Sequence, residues 1–441
     1  MGVSNSCLPF LHGNRDIISA LPDAVLCHIL SFLPTESAVR TSILCTRWRH
    51  TWTSVPVLHF DDTSVAHPQT SDHPNEQFFL QSVDRVLLLR RDNIKTLRLQ
   101  LTSFSDCVSH HVYLWIGTAI MRNVEELDLD HSTIGLPQII FSCKTLKILK
   151  LGVRIRFQIF ESVDLPRLEV LHIKNSSVAN LEKMVLGSPI LKELVFYREY
   201  FDDDAVTLYV VSSSLKRLTI HQIDSQRGLD VRSMVIRAPE LDFFELKDHF
   251  SGYFSVINVS SSPFSAAIDV RGSYTNHVLR LIKRISSVTV LRLSAYMVET
   301  LFKSCDETLP KFHFLTRLEI GAFGDGWLML PKILKCAPKL EVLILYKEKN
   351  KIPDRTIFNE EESVPSCLLS SLKSVQLKRF RGNAAEMEVL KYFLKNGRVL
   401  KKLGISISTT TNFRKLVKIL WKLIMFPRGS GTCRILLNRS F

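Results

Sequence analysis

One phrase, Leu-x-x-Leu-x-Leu, returns along most of this chain and limits its fold more than any other feature. It reads Leu168-Glu169-Val170-Leu171-His172-Ile173 and starts again at Leu191, Leu215, Leu241, Leu315 and Leu340. Degenerate copies occupy 94–99, 124–129, 146–151 and 288–293, and most steps are about 22–27 residues. Within a copy, the last two apolar positions, such as Leu171 and Ile173, point to the same side of a short strand. One unit cannot bury them alone, but stacked neighbours can. The chain therefore reads as a solenoid with a parallel sheet on its concave side. The short step, the absence of heptads and the small-Pro-x-Leu turns at Ser188-Pro189, Ala238-Pro239 and Ala337-Pro338 argue against a coiled coil or βαβ units.

Phrase and step together are those of leucine-rich repeats. Intervening segments such as 180–186 are expected to be helical or turn-like and to form the outer face. Residues interleaved with the core leucines should line the concave face. The candidates for target recognition are His172, Lys174, Tyr197, His221, Phe243, Glu245 and Tyr346, together with Val170, Glu193, Arg217, Lys247 and Lys347. Aromatics and both charge signs suit a protein partner better than a uniform polyanion. The register is least regular over 251–271.

Ahead of the repeats lies a short helical block. Pro22 and Asp23 suit a helix start, and Val25, Leu26, Ile29, Leu30 and Leu33 follow at three- and four-residue steps. Pro34 stops that helix and Thr35 is a good N-cap for a second. A third, from near Thr46, sets Trp48 and Trp52 one turn apart. On pattern alone this is either an ordinary subdomain packed on the rest of the chain or a plug for a partner, being too small to bury all its apolar faces. Residues 16–35, then Ala38-Val39-Arg40-Thr41-Ser42-Ile43-Leu44 and Arg47-Trp48-Arg49, resemble a plant-type F-box without gaps. Cys45, where serine is usual, and Thr51 depart from that pattern. The resemblance implies docking on the Skp-type adaptor of an SCF (cullin–RING) ubiquitin ligase. It implies an adaptor-facing set of Leu21, Pro22, Ile29, Leu30, Leu33, Val39, Leu44 and Trp48.

The charge of +14 is concentrated at the other end: residues 371–441 hold 16 Lys+Arg against 2 acidic residues. There, Leu372-Lys373 leads into a strand, 382–388 start a helix ending near Gly397, and 400–407 form a further strand. This resembles the FBD region that follows F-box and leucine-rich repeats in plants, although 376–380 keep only Phe380 of the usual aromatics. Residues 413–423 form a basic amphipathic helix pattern. It suits calmodulin or a membrane surface, or it packs on the last repeat through Phe413, Leu416, Leu420 and Leu423 and exposes its lysines.

The whole is expected to be α/β: a three-helix F-box (14–60), a linker and helical lead-in (61–93), repeats (94–347), a polar linker (348–364) and an α/β FBD-type basic cap (365–441). Nine scattered cysteines without a C-x-x-C pair fit reduced thiols in cytosol or nucleus. Neither a secretory signal nor a membrane span is expected. Met1-Gly2 through Ser6 fits the loose myristoylation pattern, for which coincidence is the simpler account. Nucleophile elbows, phosphate loops, dinucleotide fingerprints and zinc helices are missing from the sequence. His110-His111 and the cysteines lack ligand spacing, and Asp202-Asp203-Asp204 lacks that of an EF-hand. No catalytic residue, metal or cofactor is assigned. The leading expectation is a target-receptor subunit that carries an unknown protein target to the ligase. The alternatives are a small-molecule (hormone-like) co-receptor on the same scaffold and a non-degradative scaffold or nucleic-acid binder using the basic end. No nucleic-acid motif supports the last.

Overall fold

The computed structural model describes residues 17–62, 74–90, 92–101, 109–131, 135–152, 159, 162–198, 207–222, 233–248, 254–259, 264–271, 275–303, 309–322, 327, 329–347, 363–407 and 413–439. The chain divides into two compact units, Met1–Arg198 and Glu199–Phe441. Residues 348–362 of the expected polar linker, Asp202-Asp203-Asp204 and Gly2 lie outside the described residues.

The first unit opens with α1 (Asp23–Leu30), α2 (Thr35–Arg40) and α3 (Trp48–Thr51), with 3-10 turns at Thr41–Ile43 and Trp52–Ser54. There follow β1 (Val57–Asp61), α4 (Pro74–Leu89), β2 (Thr96–Leu101), α5 (Ser109–Met121), β3 (Glu126–His131), β4 (Ile148–Leu151), β5 (Val170–Lys174), α6 (Val178–Leu186) and β6 (Glu193–Arg198). The strands pair parallel in chain order. Their register aligns Leu58, Leu97, Leu127, Leu149, Leu171 and Leu194 in one buried row. Phe60, Leu99, Leu129, Leu151, Ile173 and Phe196 form a second. Repetition of the phrase thus becomes alignment of the core. Just before each strand a backbone amide bonds to the preceding repeat, as Lys147 N to Glu125 O at 2.8 Å and Lys192 N to Glu169 O at 2.8 Å. The same residues pair through their side chains, Lys147 with Glu125 at 3.0 Å and Lys192 with Glu169 at 2.7 Å. The parallel array starts earlier than the phrase predicts, because β1, which pairs with β2, overlaps the end of the expected F-box bounds.

In the second unit the order is β7 (Thr207–Val211), β8 (Arg217–Gln222), β9 (Ser233–Ala238), β10 (Phe243–Asp248), β11 (Phe254–Val259), β12 (Ser265–Val270), α7 (Thr275–Arg284), β13 (Val290–Leu293), α8 (Ala295–Lys303) and β14 (Arg317–Ala322). Then come α9 (Leu330–Lys335), β15 (Val342–Lys347), α10 (Ser366–Ser370), β16 (Ser374–Phe380), α11 (Ala384–Asn396), β17 (Lys402–Ile407), α12 (Phe413–Met425) and β18 (Arg434–Arg439). The main sheet runs β8-β10-β12-β13-β14-β15-β16-β17-β18, all parallel. The C-terminal α/β region continues that sheet, Val342 pairing with Ser374 across β15 and β16. Where 251–271 blur the phrase, Phe264, Ala266 and Ile268 take the buried positions.

One expectation needs correcting. Within 207–259, where helices or turns were expected between the phrases, the described strands β11, β9 and β7 form a second parallel sheet. Runs such as Leu208-Tyr209-Val210-Val211 and Met234-Val235-Ile236 are rich in β-branched and aromatic residues, which favours strand, and they bury Leu208, Val210, Met234 and Ile236.

Candidate docking faces

Helix α1 is apolar on two sides. Leu26 and Leu30 point inward and are buried with Ala38, Trp48, Trp52 and Val55. Each indole finds a partner: Trp48 Nε1 donates to Ser19 Oγ at 2.9 Å and Trp52 Nε1 to Arg49 O at 3.1 Å. Arg47 ties α3 to the entry of α1, donating to the carbonyls of Ser19 and Leu21 and pairing with Asp23 at 3.0 Å. Thr35 is the first residue of α2 and not its cap, a place held by Pro34. Its hydroxyl accepts from His59 N at 2.8 Å and so fixes the helices on β1. Arg90, just beyond α4, is buried and donates to Val55 O. Burial lowers its pKa to about 10, which leaves it charged at neutral pH. The outward side is left uncovered. Val25 and Ile29 are exposed on α1, Phe32 (76% exposed) and Leu33 follow, and Ile43 (86%) and Leu44 (63%) project from the turn after α2.

On the open face of each sheet, the residues between the core rows pair across strands. In the first unit Arg98 bridges Asp128 at 3.1 Å and Glu126 at 3.7 Å, and His172 Nε2 lies 3.0 Å from Glu193. In the second, His221 Nε2 is 3.1 Å from Glu245, whose carboxyl is held below its ordinary value chiefly by that hydrogen bond. Glu319 joins Arg292 and Lys378, each at 3.2 Å. The Arg217 guanidinium lies 4.8 Å over the Phe243 ring.

Three family models match along the chain: an F-box domain over 18–60, the leucine-rich repeats of an FBD-associated F-box protein over 112–264, and FBD over 360–405. FBD-associated F-box protein At5g22730 of Arabidopsis thaliana is 31% identical, covering 97% of this chain and 95% of its own, and two further relatives from that plant are similar. F-box/FBD/LRR-repeat protein At1g51370 is 33% identical, with 96% of each chain covered. F-box/LRR-repeat protein At4g14096 is 32% identical over 91% of this chain and 90% of its own. The chain belongs to the F-box/FBD/LRR-repeat family.

Within the F-box, the residues expected to face an adaptor fall into three groups. Pro22, Ile29, Leu33 and Leu44 are exposed, and Leu21 and Val39 are half-buried. Leu30 and Trp48, 1% and 5% exposed, lie inside and hold the helices together, so they offer a partner no surface. The expected adaptor-facing set leaves out Ile17, Ile18, Val25, Phe32 and Ile43, all exposed. For Val25 the signal was present, since apolar residues spread around α1 are too many for one buried stripe. On the repeats, His172, Tyr197, His221, Phe243 and Tyr346 are half-buried and Lys174 is exposed. Tyr346 Oη sits 3.4 Å from Leu293 O.

Proposed function

We propose that this chain is the target-receptor subunit of an SCF-type ubiquitin ligase. Its F-box binds a Skp-type adaptor and, through it, the cullin–RING machinery; the repeats and FBD hold a protein target. The observation that carries this reading is the uncovered apolar row Val25, Ile29, Phe32, Leu33, Ile43 and Leu44. Fully burying such a side chain is worth about 1.5–3 kcal/mol. The chain itself leaves the row in water, so an adaptor groove would gain that free energy. The chain supplies no chemistry in this scheme; it raises the local concentration of a target lysine near the charged ligase. The mixed charges and aromatics of the open faces suit a protein target whose charges replace or extend the cross-strand pairs.

Ile43 and Leu44 contribute little to the block's own core, so changing both leaves folding intact. Capture of a purified Skp-type adaptor by Ile43→Glu with Leu44→Glu is expected to fall at least tenfold against the unchanged chain. Undiminished capture by a variant with a native circular dichroism spectrum would overturn the assignment.

A further inference from the structure

The basic C-terminal helix carries a second apolar row that the repeats do not use. Inward, α12 buries Ile419 and Leu423. Ile419 packs on Gly382, whose positive φ of 70° and missing side chain make room for it. Outward, Trp421, Ile424 and Met425 are 61%, 64% and 72% exposed. Their spacing places all three on one turn of one face. Exposed Lys418 and Lys422 flank them, and neither has an ion-pair partner among the described residues. Arg428, also exposed, follows the helix.

Along 371–441 one sign of charge prevails. Of the 2 acidic residues against 16 basic ones in 371–441, Glu386 is 2% exposed and accepts from the backbone amides of Arg381, Gly382 and Asn383. Glu388 is the other acidic residue of that stretch and is exposed. The fitting partner is therefore apolar and negative together. Three side chains on one turn are far less than the roughly 800 Å² a side of a stable protein interface. They are enough for shallow insertion into a bilayer, where an indole settles at headgroup depth and lysines reach the phosphates. We propose that α12 is a peripheral docking element for anionic membrane, with Trp421, Ile424 and Met425 entering the acyl boundary and Lys418, Lys422 and Arg428 meeting lipid phosphates. No helix among the described residues is long and apolar enough to cross a membrane, so the contact is with one leaflet.

The test is sedimentation of the full chain with vesicles of phosphatidylcholine alone or mixed with phosphatidylserine. Binding is expected only to the mixed vesicles and should weaken steeply with added salt. Lys418→Glu with Lys422→Glu should reduce it at least tenfold. Lys311→Glu with Lys339→Glu, exposed lysines of an upstream repeat, should leave it unchanged. Brominated lipid should quench tryptophan fluorescence in the unchanged chain and not in Trp421→Phe, which still binds. Absence of serine-lipid-dependent binding, equal loss in both lysine pairs, or quenching that survives Trp421→Phe each overturns the proposal. Capture of calmodulin without vesicle binding does so too, assigning the face to a protein.

Discussion

A histidine–glutamate pair on an exposed sheet face makes stability depend on pH in a definite direction. The hydrogen bond from His221 holds the Glu245 carboxyl below its ordinary value of 4.5, against the opposing pull of partial burial. A depressed carboxyl stabilises the fold fully above its unfolded value and loses that contribution as pH falls through its folded value. The difference in melting temperature between the unchanged chain and Glu245→Gln should therefore be full at neutral pH. It should shrink below about pH 4.5. A difference that persists unchanged in acid would show that the pair acts by packing alone. Both residues were candidates for target recognition in sequence, but nothing there paired them. Alternation put both on the open face, but only strand pairing shows that they meet.

Helix α11 shows what a cap adds to an element. Asn383 Oδ1 accepts from Glu386 N at 2.8 Å, and Glu386 Oε2 accepts from Arg381 N at 2.9 Å, Gly382 N at 2.7 Å and Asn383 N at 3.3 Å. One buried carboxylate thus satisfies the amides of the turn leaving β16 while closing a capping box. Glu386→Ala strands those amides and is expected to cost about 1–3 kcal/mol, read as a lower denaturation midpoint. Glu386→Gln, which keeps an acceptor, should recover much of it. The helix start at 382–388 was legible because Asn and Glu three residues apart are a capping signal. The extra amides that Glu386 gathers were not, since they follow from the path of the turn. Helix α1 teaches a related lesson. Its apolar residues were legible, but their division into an inner pair, Leu26 and Leu30, and an outer row was not. Spacing gives the angle between side chains and not which side the neighbouring helices cover.

Across the molecule, stability of a stacked array is approximately a sum over units and their nearest neighbours. Leu149, fully buried between Leu127 and Leu171 in the aligned row, tests this. Leu149→Ala should cost about 2–5 kcal/mol, and hydrogen exchange should show the largest loss of protection in β3, β4 and β5. Loss spread evenly over the chain would contradict the nearest-neighbour picture. The sequence by itself determined the repeat, the parallel strands, the helical F-box and the basic C-terminal end, because periodicity, caps and composition act locally. Tertiary structure alone decided three further things. The outer segments of 207–259 became a second sheet, Leu30 and Trp48 went inside the F-box while Phe32 and Ile43 stayed out, and α12 kept Trp421, Ile424 and Met425 in water. Burial is a property of what packs against a side chain, and those neighbours come from elsewhere in the chain.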